Sequence, residues 1–218
     1  MTDTLFADVS EFQVPVDDSY PYRFLSIRSN DGNHRDGHFA QNYQWCCNAA
    51  DSGRIAGFIV YYFWRPGGTG INTHMSMVGS PHQKMASMID LESGNGNVQV
   101  DSSAECNAEY NTLATWLGSA ARVCAYANGS DYRNMWPNHP ADMRWVGAGY
   151  PINPHLPNQF AHQYTDGVVG AGGLPMGVPP FGNCDMNSAD GLSPEDLAAA
   201  LGLGSNLLIA DLPGISLP

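Results

Sequence analysis

The sequence predicts a single irregular α/β barrel. Apolar runs of strand length recur along the chain, helical patterns stand between several of them, and carboxylates gather where the runs end. Eight runs read as strands: Leu5–Val9, Phe24–Arg28, Gly57–Phe63, Met85–Leu91, Ala121–Tyr126, Arg144–Gly149, Gln159–Tyr164 and the shorter Asn183–Met186. Several, such as Met85-Ala86-Ser87-Met88-Ile89, are apolar on both faces, as strands of a covered parallel sheet must be. Residues 1–203 are expected to form the barrel, TIM-like with about eight strands. Residues 204–218 are expected to form an apolar tail, either strapped to the barrel or used for docking.

The helices follow from spacing and end signals. Phe39 to Ser52 carries apolar residues at helical intervals and stops before Gly53. Ile71 to Val78 is a weaker pattern. Ala104 to Leu117 sets Tyr110, Leu113, Ala114 and Leu117 on one side and meets Gly118. Ser193-Pro194-Glu195-Asp196 is a helix start, with a hydroxyl cap, a proline in the first turn and two acids facing the positive end of the helix dipole. That helix should end at Gly202. Asn128–Asp142 and Pro151–Pro157 read as loops, so helices are few in the C-terminal half. Asp166–Gly182 is a Gly/Pro-rich loop, long for a compact domain and a candidate wall for a cleft.

Composition narrows the function. The chain has 218 residues, 43% hydrophobic and 14% charged, with a formal net charge of -12. It is folded rather than disordered, and its charge speaks against nucleic acid or an anionic membrane as partner. The longest apolar run, Ile55 to Trp64, is too short for a membrane span. The N-terminal residues lack a basic segment followed by an apolar one, so no Sec-type leader is expected. Five cysteines at irregular spacing suggest buried free thiols rather than a disulfide framework or a zinc site.

The stretch Asp90-Leu91-Glu92 carries the chemistry. Positions i and i+2 of a strand share a face, about 6–7 Å apart along the backbone. Two carboxyls so close in a cleft resist joint ionisation, and an acid beside its conjugate base suits cleavage of a glycosidic bond. Asp8 follows the first strand, Gln163 and Tyr164 end the seventh, and Asp185 ends the last. In a closed parallel barrel such ends ring one mouth, where active sites form. Aromatic residues near strand ends (Tyr62, Trp64, Tyr126, Trp145, Tyr150 and Tyr164) are candidates to line it, with Tyr62 and Tyr164 foremost.

The order D-x-S-x-x-Q (Asp8, Ser10, Gln13), D-x-E (Asp90, Glu92), Q-Y-T (Gln163, Tyr164, Thr165) and D-x-N (Asp185, Asn187) resembles the family 25 glycoside hydrolases. These are the Chalaropsis-type lysozymes common in bacteriophages. The resemblance runs from about Leu5 to Leu203 and includes "FLSIRSNDG" and "VYYF". The chain departs from the family pattern at Tyr62, where the family usually has His, at His162, where it usually has Trp, and at Arg28, where Lys is frequent.

The resemblance implies an N-acetylmuramidase that cuts the β-1,4 bond between N-acetylmuramic acid and N-acetylglucosamine in peptidoglycan. By matching position, Glu92 is the general acid/base, and Asp90 orients or stabilises the substrate's N-acetyl group as it attacks the anomeric carbon. Asp8, Asp185, Tyr62, Gln163, Tyr164, Tyr126 and Trp145 are expected to bind substrate. Retention through substrate assistance is favoured, because two acids on one strand face do not flank a bond. No cofactor or metal is expected.

The setting implied is a phage endolysin made in the host cytoplasm and acting on the wall. Alternatives are a lysin carried in the virion tail, its partners docked through residues 204–218, and a catalytically idle wall-binding or structural tail module. A metal-dependent sugar deacetylase built on His34, His38 and Asp8 is a weaker alternative. Ser10 lacks a nucleophile elbow and is expected to fix a turn. Cys184 is expected to be a small core residue.

Overall fold

The computed structural model describes residues 3–150, 152–170 and 172–203. The expected tail, residues 204–218, lies outside the described residues. Among the described residues eleven strands are present: β1 (Leu5–Val9), β2 (Phe24–Asp31), β3 (His34–Arg35), β4 (Gly57–Phe63), β5 (Met85–Asp90), β6 (Val123–Asn128), β7 (Arg144–Ala148), β8 (Gln159–Thr165), β9 (Gly177–Val178), β10 (Gly182–Asn183) and β11 (Asp185–Ser188). The helices are α1 (Phe39–Asp51), α2 (Thr69–Val78), α3 (Ser103–Leu117), α4 (Gly129–Asn134) and α5 (Pro194–Ala200), with a 3-10 turn at Ala120–Arg122.

Eight strands close a barrel in the order β1-β2-β4-β5-β6-β7-β8-β11, with β11 returning to β1. Six of its seams are parallel, while β11 runs antiparallel to both β8 and β1. This changes how Asp185 reaches the mouth. The sequence pattern places the residue at the end of a parallel strand. It instead opens an antiparallel one, and the reversed direction delivers it to the same rim, in register with Asp8.

Strand alternation divides the side chains into two layers. The inner layer holds Phe6, Phe24, Ile59, Met88 and Val146, and Leu197, Leu201 and Leu203 belong to the same cluster at the lower end. The outer layer, between barrel and helices, holds Val60, Tyr62, Ile89, Tyr110, Leu113 and Trp145. All seven residues of β4 and all six of β5 are buried, the signature of strands covered on both faces.

Local signals act as their chemistry requires. Ser193 Oγ accepts from the Asp196 amide at 3.1 Å, capping α5, and Pro194 occupies its first turn. Gly118 closes α3 at φ +71°, a left-handed conformation that a side chain would strain. Helix α4 falls inside the expected loop 128–142. It is too short to show periodicity, and it forms because Asn128 Oδ1 accepts from the amides of Ser130 and Asp131, both at 2.9 Å. The expected loop 166–182 also contains β9, which pairs with β10 at its end.

Candidate active site

Inner-facing side chains at the upper end of the barrel are polar where those below are apolar. Asp8 (β1), Asp90 (β5), Tyr126 (β6), Gln163 (β8) and Asp185 (β11) converge there from five strands, with Glu92 just beyond β5. Asp8 is in register with Ser26 and Asp185, and Asp90 with Phe63 and Tyr126. Tyr126 Oη donates to Gln163 Oε1 at 2.7 Å, and Tyr150 Oη donates to the same oxygen at 2.5 Å. The glutamine thus ties the rims of β6, β7 and β8 together.

The acids perturb one another. Burial pushes Asp8 up to about 6, against hydrogen bonds from Tyr61 and Ser26, and the Glu92 charge adds to the rise. Burial and then the charges of Asp8, Asp166 and Glu92 push Asp185 up to about 7. Asp90 is held well above the usual carboxylate range by burial, with Glu92 and Asp8 adding to it and Arg28 opposing. Glu92 is also raised, chiefly by burial; a hydrogen bond from Asp90 works against this and the Asp131 charge adds to it. Asp90 and Glu92 share protons as one system, so the site keeps an acid at a pH where free carboxyls are ionised. Burial likewise keeps the phenols of Tyr61 and Tyr126 neutral, as donors.

Three expected substrate contacts lie elsewhere. Tyr62 is fully buried in the outer layer and donates to Glu109 of α3. Trp145 is fully buried against Trp136, Tyr132 and His139. Tyr164 points beneath the following loop, where its hydroxyl donates to the Pro175 carbonyl at 2.8 Å. The reason is parity. Neighbouring strand residues face opposite ways, so Gln163 inside places Tyr164 outside, and Tyr61 inside places Tyr62 outside.

Tyr61 is the residue that sequence reasoning missed. It bonds to Asp8, and its strand partner on β2 is Arg28. Arg28, in the sequence only a departure from the family pattern, has a part in the site. It is the cation that offsets Asp8 and Asp90, and its Nε donates to both oxygens of Asp36 at 2.9 and 3.0 Å.

The histidine pair does not form. His34 Nε2 sits 2.6 Å from Glu11 Oε1, whereas His38 Nδ1 lies 2.9 Å from the Gln13 carbonyl. Glu11, His34 and Asp36 have ligand atoms within 4.8 Å of one another, but the Arg28 guanidinium already occupies the cation's role, bonded to Asp36 and 3.9 Å from Glu11. Ser10 fixes a turn, its amide donating to Gln13 Oε1 at 2.9 Å. Cys184 is buried in the core, and all five thiols are free. No helix among the described residues is long and apolar enough to cross a membrane.

No protein-family model matches the chain. Uncharacterized protein Rv3766 of Mycobacterium tuberculosis (strain ATCC 25618 / H37Rv) is 54% identical over 207 residues, covering 93% of this chain and 75% of its own. Among solved structures, a family 25 glycosyl hydrolase from Bacillus anthracis superposes with a TM-score of 0.67 at 18% identity, over 89% of this chain and 92% of that one. The CTP1L endolysin superposes at 0.67 and 17%, over 91% and 70%. The catalytic domain of endolysin ply40, from bacteriophage P40 of Listeria monocytogenes, superposes at 0.64 and 20%, over 92% and 98%. At these identities the structural likeness establishes the fold.

Proposed function

We propose that this chain, which belongs to one family with Rv3766 of Mycobacterium tuberculosis and has the family 25 glycosyl hydrolase fold, is a peptidoglycan hydrolase of the N-acetylmuramidase type. One observation carries the reading: Asp8, Asp90, Glu92 and Asp185 meet at a single barrel mouth, each with its proton affinity raised. Protonating a glycosidic oxygen near neutral pH requires such an acid.

Glu92 is the general acid/base, being the half-buried member of the Asp90–Glu92 system and the one beyond the strand end. Asp90, almost fully buried beneath it, faces the N-acetyl group of the sugar and stabilises it as it closes on the anomeric carbon. The two carboxyls share a hydrogen bond. They do not stand on opposite sides of a sugar, which supports retention through substrate assistance rather than a nucleophile–acid pair. Asp8, Asp185, Gln163 and Tyr126 hold the sugar.

The fold neighbours CTP1L and ply40 are endolysins by name, which supports a lysis role. The mycobacterial relative supports a second setting, a bacterial enzyme acting on a mycobacterial wall. A lysin carried in the virion would be found in purified particles.

The test is digestion of purified peptidoglycan, mycobacterial walls included, with borohydride-reduced products read by mass spectrometry. Wild type should release fragments with reduced muramic acid ends, untouched by chelator, and Glu92→Gln should abolish them by about 10²–10⁴-fold. Intact glycan with both proteins bound to it would replace the enzyme by an idle wall-binding module. Chelator-sensitive release of acetate would replace it by a deacetylase.

A further inference from the structure

Asp131 is a fully buried carboxyl outside the ring of acids already described. It lies in the first turn of α4. Its Oδ2 accepts from the Ser93 amide at 3.0 Å and from Asn128 Nδ2 at 2.6 Å, and its Oδ1 accepts from Gln99 Nε2 at 2.7 Å. These donors come from the chain just after β5, from the end of β6 and from the loop leading into α3. The Ser93 amide belongs to the peptide that joins Glu92 to Ser93. The carbonyl of the same peptide is held as well, because Asn97 Nδ2 donates to the Glu92 carbonyl at 2.9 Å and to the Trp64 carbonyl at 2.8 Å. Glu92 lies beyond the last hydrogen-bonded residue of its strand, so these two anchors do for it what the sheet does for Asp90.

We propose that Asp131 is the positioning residue of this site: it clamps the Glu92–Ser93 peptide and sets a fixed negative charge behind the Glu92 carboxyl. The inference rests on the reading of Glu92 as the general acid. Burial opposes the Asp131 charge, but the bonds from Ser93, Gln99 and Asn128 outweigh it and hold this carboxyl below the usual range. Asp131 therefore stays ionised when the other acids take up protons.

The groups facing Glu92 are Asp90 from β5, Asp131 from α4, Asp8 from β1, Asp185 from β11, Tyr126 from β6 and Tyr150 beyond β7. Asp8, Asp90 and Asp185 lose their charges as pH falls. Asp131 keeps its own, and so favours the proton on Glu92 across the working range. Asn97 anchors the same segment without charge, which separates the mechanical contribution from the electrostatic one.

The test reads the Glu92 carboxyl directly by 13C NMR titration of the intact protein, beside its pH–rate profile on peptidoglycan. Asp131→Asn should lower the Glu92 midpoint by about half a pH unit or more, moving the basic limb of kcat/KM down with it. Asp131→Glu should restore both, whereas Asn97→Ala should reduce kcat and leave the midpoint in place. Should Asp131→Asn not fold, Gln99→Lys at an exposed position puts a cation against Asp131 and should lower the midpoint in the same direction. A Glu92 midpoint that stays put or rises in these charge variants overturns the proposal. Failure of wild type on every wall tested would overturn the muramidase reading instead, and the NMR titration would still decide the role of Asp131.

Discussion

Two adjacent tyrosines on β4 each meet a buried carboxyl, on opposite faces of the strand. Inside the barrel, Tyr61 bonds to Asp8; outside it, Tyr62 donates to Glu109. The acids are equally hidden, at 5% and 4% exposure, and burial raises both, Asp8 to about 6 and Glu109 to about 7. Burial and raised proton affinity therefore do not distinguish the proposed site from a structural acid. Company does. Asp8 shares its space with Asp90, Glu92, Asp185 and Arg28 at a mouth. Glu109 is sealed between strand and helix, and its Oε1 has no hydrogen-bond partner. A titratable group becomes chemically useful when several elements aim others at the same accessible point.

The comparison can be broken most sharply at Asp90. Asp90→Asn should cut kcat on peptidoglycan by about 10²–10³-fold. The thermal midpoint should not fall, since a buried acid crowded by like charges is removed. A substantial loss of stability without loss of rate would put Asp90 on the structural side of the comparison. Trp145→Ala should do the reverse. Emptying that fully buried site should cost about 3–5 kcal/mol in denaturant titration, with KM unchanged for the molecules that remain folded. A raised KM would return Trp145 to the cleft.

Glu109 predicts a pH dependence. Its folded value, about 7 against an ordinary 4.5, means that the native state binds the proton more tightly than the unfolded chain. Stability from this group is full below about 4.5 and declines as pH rises toward 7, by roughly 3 kcal/mol in all. Glu109→Gln should flatten that decline in unfolding measurements between pH 5 and 8 without altering turnover. An unchanged slope would show that Glu109 is ionised in the folded protein.

The smallest effects should come from the tyrosines. Tyr62→Phe leaves Glu109 without its donor and should cost about 1–3 kcal/mol of stability with normal kinetics. Tyr61→Phe should leave stability nearly intact and change KM a few-fold, with Asp8 titrating higher because a bond to its charged form is gone. Exchange of these two outcomes would mean that the inner and outer faces of β4 have been assigned the wrong way round.

Much of this was legible in order along the chain. Strands β1 and β4 fall where their apolar runs lie, and Ser193-Pro194 and Gly118 mark helix ends that local chemistry dictates. The D-x-E spacing placed Asp90 and Glu92 together because strand period is local. Facing was harder to read. In Gly57–Phe63 every residue is buried, so no polar alternation reveals which tyrosine looks inward. Only the register with β5, Tyr61 beside Met88 and Phe63 beside Asp90, resolves it. At Gln163-Tyr164 the period alone was sufficient, since neighbours on a strand cannot both line one cleft. Helix α4 was invisible to periodicity, though Asn128-Gly129-Ser130-Asp131 has the form of a capped start.

By itself the sequence determined the kind of layer each segment must enter, the helix stops and the identity of the acids, because these depend on residues a few positions apart. Closure of the barrel decided the rest. It brought Asp8 and Asp185 into register through an antiparallel strand, turned Tyr61 inward and Tyr62 outward, and set Asp131 behind Glu92. Such outcomes depend on which strands pair and in what register, and that is settled only when the whole sheet buries its two apolar faces at once.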